Sequence, residues 1–209
     1  ETRKEMPLEH VEGQGYIHYR KGSLVMYALQ DYVGEDSVNA ALQRYCRDWA
    51  FREDRYVTSD ILVNYFREIT PDSLRYLIED MFETITLYEN RAKKVEYSEL
   101  DNGQYQVELE LEAVKYRADS LGVETAVSMQ DWMDVGIYTE GKDGKDSLVY
   151  MQKHKFAFDN PPADARGKTF NLSITVDAKP TKAGIDPINK LIDRNPEDNR
   201  KEAVKKEGA

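Results

Sequence analysis

Asn102-Gly103-Gln104-Tyr105-Gln106-Val107-Glu108-Leu109-Glu110-Leu111-Glu112 alternates without a break after its first two residues. Successive side chains of an extended strand point to opposite faces. Tyr105, Val107, Leu109 and Leu111 therefore share one side, and Gln104, Gln106, Glu108, Glu110 and Glu112 share the other. The stretch reads as a half-buried strand with an acidic wet face, the pattern of an antiparallel sheet with one side on a core. Asn102-Gly103 is a tight-turn signal and predicts a hairpin that pairs this strand with one around residues 93–97.

Working outward toward the C-terminus, further strands are expected near residues 85–88, 124–128, 132–138, 148–158 and 169–176. Gly141-Lys142-Asp143-Gly144 and Asn160-Pro161-Pro162 separate them. About seven short strands in a hundred residues point to a sandwich. From Pro180 the pattern fades and the last dozen residues are mostly charged, so a short docked segment to about residue 191 and a frayed end are expected.

Toward the N-terminus the period changes near Phe82 from 2.0 to 3.6. Leu24, Val25, Ala28, Leu29 and Tyr32 sit at helical spacing, and Gly34 is placed to end that helix. Asp36 or Ser37 can start a second helix, whose apolar stripe is Val38, Ala41, Leu42, Tyr45, Cys46 and Trp49. Thr58-Ser59-Asp60 opens a third along Ile61, Leu62, Tyr65 and Phe66. Thr70-Pro71-Asp72 opens a fourth with Leu74, Leu77, Ile78 and Met81, the hydroxyl capping and the proline at the first helical position. The fold class read from these patterns is α+β: an N-terminal helical subdomain followed by an antiparallel β-sandwich. Its parts are residues 1–82, 83–180 and 181–209, with no internal repeat.

The 209 residues are long enough for one large or two small domains, and an apolar fraction of 40% with 14 tyrosines argues against disorder. The net charge of −10 opposes phosphate backbones, which excludes nucleic acid from the expected partners. The single cysteine, Cys46, rules out an internal disulfide and is expected as a small core residue of the second helix. No run approaches the roughly 18 apolar residues that a membrane helix needs. The chain opens on Glu1-Thr2-Arg3-Lys4-Glu5, without an initiator methionine and inside a charged segment, and reads as an excised piece of a longer protein.

Residues 16–33, Tyr-Ile-His-Tyr-Arg-Lys-Gly-Ser-Leu-Val-Met-Tyr-Ala-Leu-Gln-Asp-Tyr-Val, carry a Tyr-x-Lys-Gly sequence at a helix start, with Gly34-Glu35 and a second helix in register behind it. This arrangement resembles the gluzincin aminopeptidases of the aminopeptidase N and leukotriene hydrolase type. Residues 14–80 are similar to the helical end of the catalytic domain of that family. Residues 83–180 resemble the β-sandwich that follows it, in architecture more than in motif. Ala183-Gly184-Ile185-Asp186-Pro187 and Leu191-Ile192-Asp193-Arg194 look like bacterial members fused to a transporter-type permease. The large helical C-terminal domain of aminopeptidase N has no counterpart here.

The resemblance implies that Tyr19, with Lys21 and Gly22 completing the motif, is a catalytic residue. Its hydroxyl would donate a hydrogen bond to the oxyanion formed when zinc-bound water attacks a peptide carbonyl. A phenol suits that task because it is a neutral donor aimed at a developing negative charge. No His-Glu-x-x-His occurs, and His10, His18 and His154 are not spaced to replace it. The chain itself is therefore expected to hold no metal and no cofactor, with zinc bound upstream of residue 1 in the parent. The implied partners are the upstream half of the same polypeptide and, in the parent, a peptide substrate. The surface left bare around Tyr19, with Tyr16 or Ile17, is expected to be exposed and to promote self-association. The parent is expected to be a bacterial membrane protein with this region outside the bilayer. The alternative is a degenerate peptidase-like module that binds a peptide or partner without cleaving it.

The remaining candidates are weaker as sites. Asp193, Asn195, Glu197 and Asp198 resemble a calcium loop without its glycine and twelfth-position glutamate, and read as a solvated turn. Asn171-Leu172-Ser173 fits a glycosylation sequon but falls inside a strand. His18 reads as a structural residue beside a helix start, and Glu108, Glu110 and Glu112 as the wet face of a strand.

Overall fold

At φ 93° Gly34 adopts a backbone conformation that residues with a Cβ avoid, and there the chain turns from one helix into the next. These two helices are α1, Gly22–Val33, and α2, Glu35–Trp49. The structure is a computed structural model in which residues 4–161 and 167–207 are described. The opening residues 1–3 and the turn residue Pro162 lie outside the described residues. Helix α3, Ser59–Ile69, follows Thr58, and the short α4 is Tyr76–Ile78. Val25, Ala28 and Leu29 of α1 join Val38 and Ala41 of α2, Val63 and Phe66 of α3, and Leu77, Ile78, Met81 and Phe82 in one buried cluster. Phe66 and Phe82 stack within it at 5.6 Å between ring centres.

Two details of the helices differ from the pattern read in the sequence. Cys46 is exposed rather than buried: only Val38 and Ala41 of the α2 stripe are fully covered, and the C-terminal half of the helix is half-wet. The fourth helix is broken into a 3₁₀ turn at Asp72–Leu74, the single turn of α4 and a π turn at Glu79–Glu83. Thr70 does not cap forward. Its hydroxyl donates 2.7 Å back to the Phe66 carbonyl, closing α3 instead. Thr84 Oγ1 in turn donates 2.8 Å to the Glu79 carbonyl at the end of the π turn.

The strands are β1 Ile85–Glu99, β2 Tyr105–Ala118, β3 Glu124–Val127, β4 Met129–Glu140, β5 Asp146–Phe158, β6 Lys168–Val176, β7 Pro180–Ile185, β8 Arg200–Glu202 and β9 Val204–Lys205. One sheet has the order β3-β2-β1-β9, with β6 antiparallel on β2, and the other the order β5-β4-β7-β8. In the second sheet β4 pairs antiparallel with β5 and β7, and β7 with β8, whereas β9 joins β1 in parallel. The fold is thus mixed α and β, with four α-helices and two mainly antiparallel sheets among the described residues. The hairpin at Asn102-Gly103 forms, with Gly103 at φ 81° and the Leu100 N–H donating 2.8 Å to the Gln104 carbonyl. The two segments expected at 85–88 and 93–97 are one unbroken strand. Val107, Leu109 and Leu111 face the core, where they meet Val95 and Tyr97 of β1, Met133, Val135 and Ile137 of β4, Phe156 of β5 and Ile185 of β7.

Two compact units result. One extends to Thr86 and takes in Arg117–Thr125; the other is Leu87–Tyr116 together with the residues from Ala126 onward. The return of 117–125 to the helical unit has a polar cause: Arg117 reaches Asp80, Glu79 and Thr84, and the Glu5 N–H donates 3.0 Å to the Ser120 carbonyl.

The segment after Pro180, where the sequence pattern fades, contributes β7, β8 and β9. β7 lies directly on β4, with Gly136 opposite Gly184, and β8 lies on β7, with Arg200 opposite Gly184. A Cβ at Gly184 would collide with the Asn199 carbonyl and come within 2.8 Å of the Arg200 Cα. Because that obstacle is backbone, Gly184→Ala is expected to lose about 2–3 kcal/mol, the upper range of overpacking, when unfolding is followed in urea. A loss under about 0.5 kcal/mol would show that β8 shifts freely.

Candidate functional site

Gln14 prepares the turn that carries Tyr19. Its carbonyl accepts the N–H groups of Ile17 (2.9 Å) and His18 (3.1 Å), and its side-chain Nε2 donates 2.8 Å to the Lys4 carbonyl. Residues Tyr16–Lys21 then form a π turn that continues into α1 at Gly22. Such turns carry an extra residue per turn and change which side chains share a face. Ile17 is 1% exposed and anchors the turn, while Tyr19 is 75% exposed and Tyr16 half exposed. The expectation that Ile17 would be bare is thereby corrected: among residues 16–19 it is the one turned into the core. The His18 and Tyr19 rings lie 4.5 Å apart at 46°, and Ser23 Oγ donates 3.0 Å to the Arg20 carbonyl. Burial lowers the Lys21 ammonium from its usual range, with Glu5 opposing.

Among the described residues no group of three or more His, Cys, Asp or Glu side chains is placed to hold a metal ion. His10 is in a short 3₁₀ turn, His18 in the π turn and His154 in β5. His154 Nε2 shares a 2.8 Å hydrogen bond with the Tyr150 hydroxyl, and burial lowers its pKa. On the acidic face of β2, Lys206 bonds Glu108 at 2.8 Å and Lys93 lies 3.4 Å from Glu112. A shallow recess of about 330 Å³ lies there, lined by Lys94, Glu96, Glu108, Glu110, Asn171 and Ser173.

The calcium-like stretch is a tether rather than a solvated turn. Asp193 accepts the N–H groups of Asn90 (2.9 Å) and Asn195 (2.9 Å), and Asp198 accepts Arg91 Nε at 3.1 Å. The Asn199 amide nitrogen reaches Asp193 Oδ2 at 3.2 Å and the Asn90 carbonyl at 2.7 Å.

Sequence reasoning missed two buried charge clusters in the strand-rich unit. Lys115 Nζ donates to both oxygens of Asp131 (3.1 and 3.0 Å), and Tyr88 Oη donates to the same carboxylate at 2.8 Å. Asp134 receives Lys190 Nζ at 2.7 Å and Lys153 Nζ at 3.3 Å. All but Lys153 of these five charged side chains are at least 95% buried. The available signal was a charge inside an apolar run: Val114-Lys115-Tyr116, and Met133-Asp134-Val135.

No protein-family model matches the sequence, and no curated protein matches it. Among the described residues no helix is long and apolar enough to cross a membrane.

Proposed function

We propose that the chain is the C-terminal, non-catalytic portion of a zinc metallopeptidase of the aminopeptidase N type. Its helical unit is the end of the catalytic domain, and its two sheets, which share one buried cluster, form the β-sandwich that follows. Tyr19 supplies the oxyanion-stabilising hydroxyl to a zinc site held by the preceding polypeptide. The observation that carries this reading is the presentation of Tyr19: a phenol held out at a helix start, next to the fully buried Ile17. An oxyanion donor must be fixed by the scaffold and still reach a reacting group outside it. The upstream half and a peptide substrate are the partners, in a parent anchored to a bacterial membrane.

Exposed Tyr16, Tyr27, Phe51 and Tyr56 on the helical unit favour a second reading, a peptidase-like module that holds a peptide or partner without cleaving it. The same surface promotes self-association of the chain when it is produced alone.

Assaying the parent polypeptide separates the two. Stoichiometric zinc by elemental analysis and turnover of an aminoacyl-anilide are expected for the parent, and neither for the chain alone. A parent with no zinc and no turnover leaves the binding module. Zinc and turnover in the isolated chain would refute both.

A further inference from the structure

The connection from β7 to β8 begins with a turn held by one buried carboxylate. Asp186, at φ 43°, donates its N–H to the Asp134 carbonyl at 2.7 Å and is 2% exposed. Its Oδ1 accepts the Lys190 N–H at 2.9 Å and its Oδ2 the Leu191 N–H at 3.0 Å. The Asn189 N–H returns to the Asp186 carbonyl at 3.0 Å. Thus closed, the turn places Leu191 in the core and Pro187 against Gly136.

The charged and titratable groups around it come from every neighbouring element. Asp134 on β4 takes the Lys190 and Lys153 ammonium groups, and Asp193 follows on the connection itself. Tyr138 of β4 and Arg200 of β8 both donate to the Pro187 carbonyl, at 3.0 and 3.3 Å. The bonds that grip the Asp186 carboxylate are those of two backbone N–H groups, with two further carboxylates nearby.

We infer that residues 186–191 form an acid-strengthened latch, closed most firmly when the Asp186 carboxyl carries its proton and loosened when it ionises. Burial is the main cause, since it penalises the charged form. The fields of Asp134 and Asp193 act the same way and the two N–H donors oppose, leaving the pKa at about 6. A carboxyl whose pKa is raised in the closed state contributes stability that is full below the open-state value of 3.8 and is lost as pH rises through about 6. The latch equilibrium is therefore expected to weaken about tenfold between pH 5 and pH 8. This inference is independent of the peptidase reading.

The test uses the full chain, labelled for NMR. The Asp186 side-chain carboxyl carbon should titrate with a midpoint near 6, and a midpoint at or below about 4, the ordinary carboxylate range, overturns the proposal. Amide exchange at Lys190 and Leu191, corrected for its intrinsic pH dependence, should lose about tenfold in protection from pH 5 to pH 8. Protection that stays constant overturns it as well. In Asp186→Asn that pH dependence should vanish; if the variant does not fold, the carboxyl titration of the unmodified chain still decides.

Discussion

Replacing Lys115 by methionine is expected to destabilise the protein by about 3–5 kcal/mol, the usual result of removing one partner of a buried ion pair. Lys115 and Asp131 have only 5% and 3% of their side chains exposed, so water cannot take over the vacated side of the carboxylate. Tyr88 and the Gln130 N–H would remain on Asp131, each with one hydrogen bond and neither with a full charge. The loss comes from the stranded charge rather than from missing attraction. Lys115→Met combined with Asp131→Leu should therefore recover most of it, because an apolar pair of similar volume is often neutral or better. Urea unfolding of the single and double variants gives both numbers. A single variant within about 1 kcal/mol of the parent chain would mean that the carboxylate finds another partner.

The alternation of 105–111 revealed β2 because one face of that strand is dry and the other wet over that stretch. Three residues later the same strand becomes unreadable. Val114, Lys115 and Tyr116 are all buried, since both faces are covered there, and no period of two survives. Lys115 looked like a solvent residue although it is a core residue whose partner lies 16 positions away. The strands after Pro180 were hidden for a different reason. β7 contains Thr181 and Lys182 at half-buried positions, and β8 and β9 are short and mostly charged, so neither hydrophobicity nor length marks them.

Tertiary cover decided the helical details as well. Cys46 fits the α2 stripe by spacing, but no element covers that end of the helix deeply enough to bury it. The Tyr-x-Lys-Gly sequence placed Tyr19 at a helix start, and that position holds. The π geometry of the turn, which turns Ile17 inward and leaves Tyr19 out, depends on how Gln14 and Lys4 fix the preceding backbone. Local propensity carries no trace of such a constraint.

Tyr19→Phe is expected to lower kcat of the parent enzyme about a hundredfold or more, the range for losing one oxyanion donor, with little change in KM. The phenol would contact the oxyanion mainly in the transition state, so its removal takes away differential rather than uniform binding. In the isolated chain the same substitution should alter stability by less than about 0.5 kcal/mol, as for other exposed sites, because the side chain is 75% exposed. The ring is kept, so its tilted contact with His18 and the Ile17 anchor both survive. The two measurements separate the possible roles of the hydroxyl. A hydroxyl serving the fold lowers stability and leaves kcat alone; one serving only to bind substrate raises KM at constant kcat. Only the combination of unchanged stability, unchanged zinc content, unchanged KM and lost kcat matches an oxyanion donor.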